Sequence, residues 1–256
     1  MIFRRVIYLS VVLVSMSSFG VETAIAEEKA VAELPPPSSD PVKPVPRDRD
    51  YPWMSLAFWQ GAHAANSAEA AKGEAELIFL GDSITQMTQW SENWKKTFEG
   101  YRYLNFGIGG DRTQNVLWRL ENGEVGKLKP KVVVLLIGTN NLGTTTNDLV
   151  DVPRGVTAIV KKLRDGFPQA KVLVLGIFPR DEKSDAPVRA TIGKINAELK
   201  KLDDGKTVFV RDIGKVFLEP DGTLSTTVSQ DHLHLTEEGN RRWAETLAPL
   251  VRELMR

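Results

Sequence analysis

The chain has 256 residues, 33 basic and 33 acidic side chains, and no cysteine. That length suits one domain with a substantial core. The charge balance argues against a nucleic-acid backbone or an anionic membrane surface as main partner, and the missing thiols exclude disulfides, thiolate metal sites and a cysteine nucleophile.

Residues 1–26 read as a signal peptide: Arg4 and Arg5 make the start positive, Val6 to Phe19 is apolar, and Ala24-Ile25-Ala26 is a small-x-small cleavage pattern. Ser15, Ser17, Ser18 and Gly20 interrupt the run, which falls short of the roughly 20 apolar residues of a spanning helix. The expectation is an exported protein, periplasmic or secreted, with no stable membrane insertion after cleavage. Residues 27–50 follow as a Pro-rich disordered linker, since six of the 14 prolines lie between Pro35 and Pro46. The domain then occupies 51–256. Its first part, 51–74, reads as a helix packed on the rest, with Trp53, Leu56, Phe58 and Trp59 as apolar bulk and a run of alanines favouring helix.

Short apolar runs then alternate with amphipathic ones. Strands are predicted at 77–80, 103–106, 132–137, 172–175 and 208–210, and helices near 92–98, 113–122, 148–166, 187–202 and 236–255. Runs apolar at every residue suit strands buried on both faces. The alternation predicts an α/β fold of three layers, α/β/α, around a doubly wound parallel sheet of five strands.

In such sheets ligands bind beyond the carboxyl ends of the strands. The first three strands lead into Gly81-Asp82-Ser83-Ile84, Gly107-Ile108-Gly109-Gly110-Asp111 and Gly138-Thr139-Asn140-Asn141, each joining glycine to small polar side chains. Ser83 is a candidate nucleophile, but a serine hydroxyl needs a base to take its proton. Of the three histidines, His234 stands three residues after Asp231, just ahead of the last helix, so one tight loop can carry both.

These blocks together, Gly81-Asp82-Ser83-Ile84, Gly110, Gly138 to Asn141 and Asp231-x-x-His234, resemble the SGNH (GDSL-type) hydrolase superfamily. Asn105 to Thr113, Val116 to Leu120, Lys129 to Lys131 and Ile137 to Asn141 are similar to the catalytic subunits of the brain intracellular type of platelet-activating factor acetylhydrolase. The resemblance runs from Leu77 to the C-terminus. It implies a flavodoxin-like sheet, a Ser83-His234-Asp231 triad, and an oxyanion hole from the backbone N–H groups of Ser83 and Gly110 and the side chain of Asn140. It implies no cofactor and no metal. Ile84 replaces the leucine of the family's name, a volume-conserving change. The animal members are cytosolic, so their lipid substrate and regulatory partners are not carried over.

Plainer readings stand beside each of these. Asp82 braces its loop. Asn141 is a turn residue, whereas Asn140 is given the catalytic role. His232 and His234 share a spacing used by some metal sites, but no further ligand segment accompanies them. His63 is a packing or surface residue, and Trp90, Trp94, Trp118 and Trp243 belong more often to a core than to a ligand platform. The expected function is a serine esterase removing short acyl groups, acetyl first, from a small-molecule or glycan ester, with an acetylated carbohydrate as the leading substrate. A lysophospholipase or acetylhydrolase acting on phospholipid-like esters is the alternative. A glycan-binding domain without activity is a second one, although its natural signature would be a missing serine or histidine. The expected state is a monomer or homodimer.

Overall fold

The structure is a computed structural model and describes residues 40–256. Five strands, β1 (Leu77–Gly81), β2 (Tyr103–Gly107), β3 (Val132–Leu136), β4 (Lys171–Leu175) and β5 (Val208–Arg211), form one sheet in the order β2-β1-β3-β4-β5. Every pairing is parallel, with Gly81 beside both Gly107 and Leu136. Both β1 and β3 are buried at all positions, and the predicted double-faced burial follows from helices on each side.

Successive strand residues alternate between two cores. Ile78, Leu80, Val133, Leu135, Val172 and Val174 join one, together with side chains of α1 (Leu56–Lys72), α4 (Thr113–Arg119), α5 (Asp148–Gly166) and α6 (Pro187–Leu199). Leu77, Phe79, Val132, Val134, Leu136 and Leu173 join the other, against α3 (Glu92–Phe98) and α7 (Glu237–Leu254). Trp94 and Trp243 meet there with ring centroids 4.6 Å apart, which makes both core residues. Between β1 and α3 lie a short α-helix that periodicity does not reveal, α2 (Ser83–Met87), and a single 3₁₀ turn, Thr88–Trp90.

Local chemistry sets several element ends. Thr236 caps α7 by accepting from Gly239 N–H, with Glu237 and Glu238 in the first turn, where the helix dipole favours negative charge. The predicted helix 113–122 ends early: Asn122 and Gly123 leave helical geometry, and Leu120–Glu124 forms a widened turn. Tyr51 to Met54 form no helix, because α1 begins only after Ser55, whose hydroxyl accepts from Phe58 N–H. The linker boundary at residue 50 also differs from expectation. Residues 40–50 lie against the domain, with Val45 N–H donating to Gln114 O and the Thr113 hydroxyl to Pro41 O. The segment turns at 41–43 and otherwise has neither helix nor strand, and its backbone groups find partners in α4.

One buried charge ties the elements near the carboxyl ends of β1 and β2. Arg119, without solvent exposure, donates to Asp111 at 2.7 Å, to Glu124, and to Gly81 O at 3.3 Å. Trp59 of α1 donates its indole N–H to Asp111 at 2.7 Å, while His63 and Asn66 face Glu124. Burial pushes the Asp111 carboxyl up to about 6, against the pull of Arg119, Trp59 and Arg47. At Glu124 burial also pushes upward, but Arg119, His63 and Asn66 outweigh it and the carboxyl is lowered. Replacing Arg119 by leucine strands two buried carboxylates, so Arg119→Leu should lose about 3–5 kcal/mol of stability. Urea unfolding measures this, and a loss below about 1 kcal/mol would show that the cluster does not hold these elements.

Candidate active site

Strand order reverses between β1 and β3, because β2 is added on one side of β1 and β3 on the other, and the loops that follow these parallel strands converge beyond their carboxyl ends. Ser83 begins α2 immediately after β1, so its backbone N–H lies in the first helical turn, where no intrahelical acceptor exists. Asp82 caps that helix through Ile84 N–H, the bracing role expected for it. Its other carboxylate oxygen is buried without a partner, and burial, with Asp111 nearby, pushes the group up to about 7. The approach is close here: a Cβ on Gly107 would come within 2.3 Å of Gln86 N, so only glycine lets β2 pass beside α2.

The Ser83 hydroxyl lies 2.9 Å from Nε2 of His234, across 151 positions of sequence. Nδ1 of that ring is 2.6 Å from Oδ2 of Asp231. With the Nδ1 proton donated to the carboxylate, Nε2 is free to accept from the serine hydroxyl. Asp231 also accepts from His234 N–H at 2.7 Å and Leu233 N–H at 3.1 Å. Burial pushes its carboxyl up, but these donors prevail and hold it at about 2. The intervening His232 takes a left-handed conformation, φ 55°, and its Nδ1 donates to Leu224 O, so the two histidines of the His-x-His pair face different partners.

Gly110 has φ 71°, a conformation glycine adopts without strain, and its loop runs beside the nucleophile: a Cβ on Gly109 would be 3.7 Å from Ser83 Cβ. Gln86 fixes that loop by accepting from Gly109 N–H at 2.9 Å. Asn140 reaches the same loop from beyond β3, its side-chain amide donating to Asp111 O at 3.0 Å. Asn141 instead is buried and bonds Thr113 and Gln114, as its structural reading expected. All five residues singled out from sequence therefore gather at one edge of the sheet. A groove of about 870 Å³ between α5 and α6 is lined by none of them.

Sequence reasoning missed three residues here. Arg47, Trp53 and Met54 border the Gly109–Gly110 loop from the N-terminal side. Their signal is an aromatic pair, Tyr51 and Trp53, on either side of Pro52, within the stretch 51–74 that the sequence predicts as helix.

Comparison with known proteins agrees with this architecture. Residues 79–242 match the GDSL-like lipase/acylhydrolase family. The alpha2 subunit of platelet-activating factor acetylhydrolase IB from Rattus norvegicus is 39% identical over 77% of this chain and 85% of its own. The alpha1 subunit from Bos taurus is 37% identical over 86% of this chain and 90% of its own. A solved acetyl xylan esterase superposes with a TM-score of 0.59 at 27% identity, covering 68% of this chain and 98% of that one. The fold and this set of relatives define a carboxylic ester hydrolase. The chain belongs to the GDSL-like lipase/acylhydrolase family.

The same relatives correct the expectation of an exported protein, periplasmic or secreted. They are intracellular acetylhydrolase subunits, whereas that expectation came from residues 1–26, which lie outside the described residues, as do 27–39 of the expected linker. No helix among the described residues is long and apolar enough to cross a membrane.

The Asp231 carboxyl sits at about 2 in the folded chain, below its ordinary value near 3.9. A lowered carboxyl contributes stability above its unfolded value and loses it as pH falls through the folded one. Wild type should therefore exceed Asp231→Asn in urea midpoint above about pH 5, with the difference shrinking toward pH 2. A difference constant across that window would contradict the hydrogen bonding described for Asp231.

Proposed function

We propose that this ester hydrolase works through an acyl-enzyme, with Ser83 as nucleophile, His234 as general base and Asp231 as the group that orients the ring. The observation carrying this reading is the continuous line of hydrogen bonds from the serine hydroxyl through the imidazole to the carboxylate, 2.9 and 2.6 Å long. In the acylation step the Ser83 oxygen adds to the ester carbonyl while Nε2 takes the hydroxyl proton. The imidazolium then returns that proton to the departing alkoxide as the ester C–O bond breaks. Water, deprotonated by the same nitrogen, cleaves the acyl-serine and regenerates the hydroxyl.

Addition places negative charge on the former carbonyl oxygen. The N–H groups of Ser83 and Gly110 and the second amide hydrogen of Asn140 are the donors assigned to it, and each such donor is worth about a hundredfold to a thousandfold in rate. The bond from Asn140 to Asp111 O fixes the amide plane before substrate arrives, so no reorientation is needed during the reaction.

For the substrate we infer a short acyl group, acetyl first, on an acetylated carbohydrate. Support comes from relatives named as acetylhydrolase subunits and from the likeness to an acetyl xylan esterase. The name of the same relatives favours a second reading, an acetylated phospholipid-like ester.

Purified protein should turn over p-nitrophenyl acetate, with rates falling as the acyl chain lengthens to octanoyl, and should release acetate from acetyl xylan. An octanoyl ester cleaved faster than the acetyl ester would overturn the short-acyl assignment. Faster release from an acetylated ether phospholipid than from acetyl xylan would select the second reading. Ser83→Ala should lower kcat by at least about a thousandfold. Asn140→Ala should lower kcat by about a hundredfold or more with little change in KM. An unchanged kcat would return Asn140 to the role of a turn residue.

A further inference from the structure

The segment from Asp40 to Ser55 has no part in the chemistry above, yet it borders the site. Arg47 is 6% exposed, donates through Nη2 to Gly109 O at 2.7 Å, and lies 3.8 Å from Asp111. Its guanidinium stands over the rings of Tyr51 and Trp53, 4.8 and 5.3 Å from their centroids. Those two rings stack with centroids 5.3 Å apart and planes 18° apart. The far edge of the Trp53 indole faces Gly110, where a Cβ would come within 2.1 Å of Cη2. Met54 Cε and Ser83 Cβ border one and the same space over Gly109.

Trp53 is nevertheless 59% exposed. An indole fixed by a stacked ring and a buried guanidinium, edge-on to the oxyanion loop and open to solvent, has lost its conformational freedom without gaining burial. The cost of ordering it is met in the free protein, which is how a rigid contact surface for a ligand is built.

We propose that Trp53 is a specificity-determining wall of the leaving-group subsite, stacking on a neutral ring in the alcohol half of the ester, a sugar ring in the first place. This deepens the esterase reading and rests on it. The neutrality of the ring follows from Arg47. Its guanidinium already takes the cationic place over both aromatic rings, so a quaternary ammonium head group would meet like charge there. A saturated sugar ring offers C–H groups to the indole face and carries no charge.

The test compares wild type, Trp53→Ala and Trp53→Phe, all as full chains, on acetylated xylobiose and on ethyl acetate, whose alcohol has no ring. The ratio of kcat/KM for the sugar ester to that for ethyl acetate should fall about three- to tenfold in Trp53→Ala and recover in Trp53→Phe. An unchanged ratio, or equal losses on both esters, overturns the proposal. Binding is read separately in a Ser83→Ala background by calorimetry with xylotetraose and with phosphocholine. The Kd for xylotetraose should rise by a similar factor when Trp53 is also replaced by alanine. Absent xylotetraose binding, binding indifferent to Trp53, or tighter binding of phosphocholine than of xylotetraose would each overturn it. Failure of the esterase reading itself is distinguished by Ser83→Ala retaining the wild-type rate.

Discussion

Arg119 has no access to water, so its charge has to find acceptors within the protein, and the site is arranged around the ones it finds. Gly81 O is the last carbonyl of β1, one residue before the Asp82 cap and two before Ser83. Asp111 directly follows Gly110, and its own backbone carbonyl accepts from Asn140. Glu124 closes the widened turn after α4 and gathers His63 and Asn66 from α1. One guanidinium therefore ties the end of β1, the loop after β2 and, through Asp111, the loop after β3. Buried ion pairs add little net stability because desolvation offsets attraction, but a partner removed is costly, and this makes such a cluster a register device.

Above that anchor the groups assigned to chemistry are held by short local devices. Asp231 accepts two backbone N–H groups from the loop that carries His234, so the carboxylate fixes the loop as well as the ring. The left-handed turn at His232 lets one tight loop contain both residues while sending His232 toward Leu224 O. Three residues of separation therefore suffice for carboxylate and imidazole to meet. The serine needs no such device of its own, since the strand-to-helix junction at Gly81–Ser83 already projects it from the sheet edge.

The N-terminal approach changes the picture of what belongs to the enzyme. Proline content predicts an extended chain for residues 40–50 that stands apart from the domain, whereas the segment turns at 41–43 and is hydrogen-bonded to the domain. Chain outside helices and strands has unpaired N–H and C=O groups, and here α4 supplies partners through Gln114, Asn115 and Thr113. Once the chain is so held, Arg47, Trp53 and Met54 arrive beside the Gly109–Gly110 loop, and the site acquires a wall that the family's motifs do not contain.

The sequence by itself determined the five strands, nearly all the long helices, the parallel order implied by their alternation, and the four blocks whose residues gather at the site. These were legible because burial on both faces writes an uninterrupted apolar run, and because four blocks of glycine with small polar residues in this order and spacing are far more specific than any one, which alone reads as a turn. Only the tertiary structure decided that Ser83 and His234 meet, that Asn140 turns toward Asp111 while Asn141 turns inward, and that Arg47 and Trp53 share the site. Each of these depends on contacts between segments far apart in sequence, which composition and periodicity do not encode. The short helix at Ser83–Met87 was hidden for a related reason: five residues are fewer than two helical turns, too few for a period to register.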